Sequence, residues 1–236
     1  MIKKKYLISP GPTPIPESVL SAASEPIIHH RTPEFSEIFM EVIRGLQYMF
    51  QTKEDVLILA STGTGAMEAA VVNILSPEDD VIVLNGGKFG NRWSCICREY
   101  GLKTRDIIIE WGKDYPKEKL RSELSKRPGV KAVFTTLSET STGAVYDIQG
   151  YSEVIKEQGG LLVVDGISGI GAVPCPMDDW NIDVLIAGSQ KAFMIPPGLS
   201  YIAFSPKAWA CAERSSLPKY YFDAKAAKKS LKNRAS

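Results

Sequence analysis

Apolar and polar positions alternate between two periods along most of this chain. Six short runs are rich in aliphatic and β-branched residues: DVLILA (55–60), DVIVLN (80–85), KTRDIII (103–109), KAVFTT (131–136), LLVVD (161–165) and DVLIAG (183–188). Several are apolar without a break, the mark of strands covered on both faces. Between them stand amphipathic segments of helical length at 65–76, 89–100, 116–126 and 148–158. This alternation predicts an α/β fold, a mostly parallel sheet with helices on both faces. SYIAFS (200–205) adds a further strand whose direction the sequence leaves open.

Ahead of the first strand, Thr32 is placed to cap, Pro33 suits a first helical position, and Phe35, Ile38, Phe39, Val42, Ile43 and Leu46 recur at helical spacing. A long amphipathic helix to about Phe50 follows. Pro10, Pro12, Pro14 and Pro16 prevent regular helix or central strand at the start of the chain. An extended N-terminal arm is therefore expected over 1–20, with one large domain over 21–223. The last segment, AKAAKKSLKNRAS, carries Lys225, Lys228, Lys229, Lys232 and Arg234 and little to bury, so a frayed basic tail is expected over 224–236.

Composition narrows the function classes. The 236 residues are 44% hydrophobic and 23% charged, as in a globular protein with one large core. Lys and Arg number 28 against 27 Asp and Glu, so no global field points to nucleic acid or an anionic membrane. No apolar run approaches the ~18 residues of a membrane span, and the basic start lacks an apolar signal-peptide core, which reads as a cytoplasmic protein. Cys95, Cys97, Cys175 and Cys211 match neither a disulfide framework nor a zinc pattern, and no metal site is expected.

In an open α/β sheet, ligands bind beyond the carboxyl ends of the strands, and four such places carry unusual residues. Ser61-Thr62-Gly63-Thr64-Gly65 follows one strand and opens a helix. Its glycines, hydroxyls and free helix amides suit a phosphate, although an ordinary capped turn has a similar sequence. It is neither a Walker A motif nor GxGxxG. Asp165 ends LLVVD, where a carboxylate needs a partner. Either it caps the next turn or it pairs with a protonated ring nitrogen of a cofactor. Lys191 follows Gly188-Ser189-Gln190 at a strand end, where it is either a loop lysine in solvent or an amine placed for imine chemistry. Phe89, within Gly86-Gly87-Lys88-Phe89-Gly90, either packs on a neighbouring loop or stacks on a planar group.

The order of these features raises their joint weight: cradle, aromatic, aspartate, then lysine 26 positions later (191 minus 165). With LISPGPTPIPESVL, HRTPEFSEIF, STGTGAMEAA, NGGKFGNRW, SETSTGAVYDI, LLVVDGISGIGAVP and IAGSQKAFMIPPG in this order, the chain resembles the class V aminotransferases, in particular their alanine-glyoxylate and serine-pyruvate group. The segments span almost the whole chain. The resemblance implies the large domain of a fold type I enzyme dependent on pyridoxal 5'-phosphate (PLP). It also implies transfer of an amino group between a small amino acid, alanine or serine, and a 2-oxo acid such as glyoxylate or pyruvate. It casts Lys191 as the Schiff-base lysine, Asp165 as partner of the pyridine nitrogen and Ile167 as packing under the ring. Phe89 stands where the family commonly has a stacking tryptophan. Thr62, Gly63, Thr64 and Gln190 are implied at the phosphate, Thr140 at the hydroxyl edge of the cofactor and Gly11 near the substrate carboxylate. The family is homodimeric.

Family chains continue past the segment LPKYYFDAKAAKKSLKN into a small domain that carries a carboxylate-binding arginine, whereas this one stops at Ser236. By that resemblance the small domain is absent, and little turnover is expected of the chain alone. Two alternatives remain at this stage: a non-catalytic PLP-binding remnant, and a cysteine desulfurase. The second calls for histidine before the lysine and a cysteine in a mobile loop, whereas Gln190 precedes Lys191 here.

Overall fold

The computed structural model describes residues 7–232. In chain order the elements are α1 (Glu17–Ala23), α2 (Pro33–Phe50), β1 (Val56–Leu59), α3 (Gly63–Ile74), β2 (Asp80–Asn85), α4 (Lys88–Glu99), β3 (Lys103–Ile108), α5 (Lys117–Ser125) and β4 (Ala132–Thr136). They continue with β5 (Ser138–Glu139), β6 (Ala144–Val145), α6 (Ile148–Glu157), β7 (Leu161–Asp165), β8 (Val184–Gly188), β9 (Ser200–Phe204), α7 (Pro206–Ala212) and α8 (Ala224–Lys232). Seven strands form one sheet in the order β1-β9-β8-β7-β4-β2-β3, and β5 and β6 pair in a separate small hairpin.

Strands β8, β7, β4, β2 and β3 run parallel to one another. β9 is antiparallel to both β8 and β1, which settles the direction that the sequence left open and returns β1 to the common direction. Every residue of β4, β7, β8 and β9 is buried, so both faces of the sheet's middle are covered. α3 lies against β8 and β9, α4 against β2, β3 and β4, and α6 against β7 with α5 packed on it. The outer strand β3 exposes Lys103 and Arg105, charges that blunt a sheet edge.

Local chemistry fixes the helix ends. The Thr32 hydroxyl accepts from the Phe35 N–H and Pro33 takes the first position of α2. Ser205 and Pro206 do the same for α7, where the Ser205 hydroxyl accepts from Ala208 N–H at 3.1 Å. Each strand expected from the apolar runs is present within a residue or two, as are the four interstrand helices and the long helix ending at Phe50.

Two boundary expectations are corrected. The arm is irregular only over the described residues 7–16, because Pro16 sits at the N-cap of α1 and the helix begins at Glu17. A proline at a helix start costs no hydrogen bond, so four prolines ending there do not exclude a helix directly after them. The basic C-terminal segment is not frayed over 224–232, because it forms α8. The Asp223 carboxylate accepts from Lys225 N–H at 2.9 Å, and Ala224 N–H donates to the Asn73 side chain at 2.9 Å. Leu231 is buried, and the Lys228 ammonium lies 3.9 Å from the Trp209 ring centroid. Tertiary partners thus supply what the segment's own composition lacks. Arg234, also assigned to the tail, lies outside the described residues.

α8 packs against the edge strand β1, so a chain ending at residue 223 is expected to be less stable than the full chain. Burial of Leu231 alone corresponds to about 2 kcal/mol. Chemical denaturation of the two chains checks this, and equal midpoints would show that α8 contributes nothing.

Candidate functional site

The shared direction brings six strand ends to one side of the sheet, and the unusual residues of the sequence stand after five of them. Ser61 to Gly65 follow β1, Ser189 to Lys191 follow β8, Gly166 to Ser168 follow β7, Glu139 and Thr140 follow β4, and Gly86 to Phe89 follow β2. β9 runs the other way and starts at this side, where Ser200 meets Ser61 with 2.7 Å between hydroxyl oxygens.

Thr62 is the N-cap of α3, with its hydroxyl not used to cap the helix. Gly63 and Thr64 form the first turn, whose amides have no partner within the helix. A Cβ at Gly63 would run into the side chain of Ile167, and one at Gly188 would meet the same side chain at 3.3 Å. Ile167 therefore fills the space between the start of α3 and the end of β8, half-buried, as a floor to the site. Its backbone N–H donates to Asp165 Oδ1 at 2.8 Å.

Asp165 is 4% exposed, and burial pushes its carboxyl up to about 7. The Ile167 amide opposes that shift, Glu139 adds to it, and Arg92 and Lys191 oppose it. Lys191 is half-buried, and loss of solvent pushes its ammonium below the usual lysine range. Asp165 works against that shift and Arg92 works with it.

The loop that carries Lys191 is tied down on several sides. The Ser189 hydroxyl donates to the Pro196 carbonyl at 2.7 Å, and Met194 N–H donates to the Lys191 carbonyl at 3.0 Å. From the N-terminal arm, Thr13 N–H donates to the Gln190 carbonyl at 3.1 Å and the Thr13 hydroxyl to the Lys191 carbonyl at 2.9 Å. This places Gly11 against the Lys191 side chain, where a Cβ would collide with it. Gln190 Oε1 is buried with no hydrogen-bond partner.

Phe89 is half-buried in the first turn of α4. That turn has no side-chain cap of its own, because Gly87 occupies the N-cap. Glu139, fully buried, supplies one from the β5–β6 hairpin: its carboxylate accepts from Gly90 N–H at 2.9 Å and from Phe89 N–H at 3.2 Å. Ser141 takes the remaining amide, that of Lys88, at 3.0 Å, and donates its hydroxyl to Glu139 at 2.6 Å. A carboxylate at a helix N-terminus also meets the positive end of the helix dipole. Thr140, on the same hairpin, lies 2.6 Å from the Ser168 hydroxyl.

All ten residues expected at the site lie on the side of the sheet where these strands end, Gly11 reaching it from the N-terminal arm. Three others belong with them by contact: Glu139, Ser168 and Arg92. The Arg92 guanidinium donates to the Thr64 hydroxyl at 2.9 Å and lies 4.8 Å from the Phe89 ring centroid. Glu139 and Ser168 stood inside segments already singled out, and Arg92 follows Phe89 by three positions, a helical neighbour. The cysteines lie elsewhere in the fold. Cys95 and Cys97 are on α4, Cys211 is on α7, and Cys97 and Cys175 are buried with thiols pushed up by burial.

A covered, largely parallel sheet with a strand-end lysine, a buried aspartate on the neighbouring strand and a hydroxyl-rich helix start is the large-domain architecture of fold type I PLP enzymes. Residues 5–217 match the family described as Aminotransferase class-V, and the chain belongs to that family, whose cofactor is PLP. It is 44% identical over 226 residues to a protein of Synechococcus sp. named soluble hydrogenase, small subunit, covering 94% of this chain and 59% of that one. It is 36% identical over 228 residues to the L-aspartate–glyoxylate aminotransferase of Paracoccus denitrificans, covering 94% of this chain and 58% of that protein. The crystal structure of an alanine–glyoxylate aminotransferase from Nostoc sp. superposes on all of this chain and 63% of that one, with a TM-score of 0.94 at 31% identity. The chain thus spans a little under two thirds of the length of these relatives. Among the described residues no helix is long and apolar enough to cross a membrane.

The raised Asp165 carboxyl has a consequence for stability in the cofactor-free protein. The folded state keeps this proton up to about pH 7 while the unfolded chain releases it near 4, so the group's contribution is present below pH 4 and is lost as pH rises through 7. Asp165→Asn is expected to remove that loss, stabilising the cofactor-free protein above pH 7 by up to ~4 kcal/mol. Denaturation of both proteins across pH 4 to 8 checks this, and parallel profiles would show that Asp165 titrates normally.

Proposed function

We propose that this chain is the cofactor-binding large domain of an aminotransferase that moves an amino group between a small amino acid, alanine or serine, and a 2-oxo acid such as glyoxylate or pyruvate. The observation that carries this reading is the placement of a half-buried Lys191 just beyond β8 and a buried Asp165 at the end of the adjacent β7. Support for the substrate class comes from the relatives named for glyoxylate, in Paracoccus and Nostoc. We further propose that the protein works as a homodimer in the cytoplasm.

The residues present fit PLP. The Thr62 hydroxyl is not used to cap its helix, the first-turn amides of α3 have no partner within the helix, and glycine at 63 and 11 admits the Ile167 and Lys191 side chains where any Cβ would collide with them. When bound, PLP supplies an electron sink for breaking bonds at the amino acid's α-carbon. Lys191, whose ammonium is pushed below the usual lysine range by loss of solvent, would be the amine that holds the cofactor's aldehyde carbon, with water released. Its Nζ would also be the group placed to take and return the α-proton. Asp165 holds the ring nitrogen, and its raised carboxyl value falls when a cation becomes its neighbour. Thr62, Gly63, Thr64 and Gln190 hold the phosphate, with charge-assisted bonds from hydroxyls and amides. Phe89 and Ile167 would pack against the cofactor ring, Thr140 with Ser168 would hold its hydroxyl, and Gly11 would leave room for the substrate carboxylate. Gln190 precedes Lys191 where a cysteine desulfurase calls for histidine, which favours amino transfer over sulfur transfer.

Borohydride reduction of the protein with PLP, followed by peptide mapping, is expected to place the pyridoxyl label on Lys191. Label on another lysine, or none, would overturn the assignment. Lys191→Ala is expected to lower amino transfer from alanine or serine to glyoxylate or pyruvate by ~1000-fold or more relative to the unsubstituted protein. Asp165→Asn should lower turnover more than it weakens cofactor binding. Equal turnover in that variant would remove the role given to the carboxylate.

A further inference from the structure

Arg92 is a cation at this site that the proposed reaction does not use. It stands in the second turn of α4, three positions after Phe89 and thus on the same helical face. Its guanidinium donates to the Thr64 hydroxyl at 2.9 Å, in the first turn of α3, and covers the Phe89 ring with 4.8 Å to the centroid. Those two residues belong to different strand–helix units, after β1 and after β2, with the whole width of β9, β8, β7 and β4 between their strands. Strand pairing therefore does not fix one against the other; α3 and α4 pack on each other, and the Arg92 side chain adds the contact that joins their N-terminal ends.

We propose that Arg92 is a positioning residue of the cofactor site, clamping the phosphate-side Thr64 and the ring-side Phe89 into one geometry. The proposal rests on the reading of this cleft as a PLP site. The planar guanidinium suits the task, because its in-plane donors bond a hydroxyl while its face lies on an aromatic ring. Lysine offers the same charge as a compact ammonium and cannot make both contacts in that plane. The guanidinium has a second effect on the same groups. Lys191 is faced by Asp165, which favours its charged form, and by Arg92, which disfavours it. Asp165 is faced by Glu139, by Arg92 and Lys191, and by the Ile167 amide. The Arg92 charge thus favours a neutral amine and an ionised carboxylate together, the two protonation states the proposed chemistry needs.

The test uses the whole chain with PLP as ligand, comparing the unsubstituted protein with Arg92→Met and Arg92→Lys. Three quantities are measured: the cofactor dissociation constant, the pH midpoint for covalent linkage to Lys191, and the circular dichroism of the bound cofactor. Arg92→Met is expected to bind PLP about tenfold more weakly, the loss of one cation–π contact and one charge-assisted hydrogen bond. It should also raise the pH midpoint for linkage and lower the cofactor's dichroic signal. Arg92→Lys should restore the midpoint but neither the affinity nor the signal, since it returns charge without the planar fork. A purely structural arginine would lower the unfolding temperature of both variants and leave the midpoint unchanged, which overturns the proposal. Variants that match the unsubstituted protein in all three quantities overturn it as well. If the unsubstituted protein itself forms no link at Lys191, the PLP reading falls and this inference with it; if it does and only the variants fail to differ, the inference alone falls.

Discussion

A carboxylate buried at the end of a fully covered strand must find a cation or give up its charge, and much of this cleft is arranged around that requirement at Asp165. The Ile167 amide stabilises the anion from its own turn. Lys191 and Arg92 add positive charge from β8 and α4, yet burial still holds the carboxyl near neutrality. A group balanced in this way responds strongly to a cation placed beside it. The polar residues gather at this one side, while the rest of the sheet consists of apolar strands packed on both faces.

The direction of the strands decides which residues share the cleft. Because β1 pairs only with the antiparallel β9, its own carboxyl end points the same way as those of β8, β7, β4 and β2. Five loops then converge on one side although their positions in the chain run from Ser61 to Lys191. The arm adds a sixth contribution from far away in sequence, through two hydrogen bonds from Thr13 to the backbone of Gln190 and Lys191. Those bonds explain why a glycine stands at position 11, where any side chain would strike the lysine.

The β5–β6 hairpin gives the cleft its rigidity on the aromatic side. Phe89 sits in a helix turn that begins with glycine and has no cap of its own, a start that would fray if left to water. Glu139 and Ser141 bond three consecutive amides of that turn and so fix the ring through its backbone. Glu139 at the same time sits close enough to Asp165 to oppose its ionisation, so the carboxylate that anchors the helix also sharpens the need for a cation opposite.

The amino-acid sequence by itself determined the strands, most of the helices and the residues at the strand ends, because periodicity and glycine-rich turns are local signals that each segment carries within itself. LLVVD and DVLIAG announced buried strands, and Asp165 and Lys191 stood out because a charged residue directly after such a run is unusual. Only the tertiary structure decided the direction of β9, since SYIAFS is equally compatible with either. The same holds for α8, whose order depends on Asn73, Trp209 and β1, contacts that no reading of AKAAKKSLK contains. Glu139 and Arg92 were visible as residues but not as partners. The first caps a helix some 50 positions earlier and the second reaches a threonine 28 positions earlier, across units that come together only when the sheet assembles.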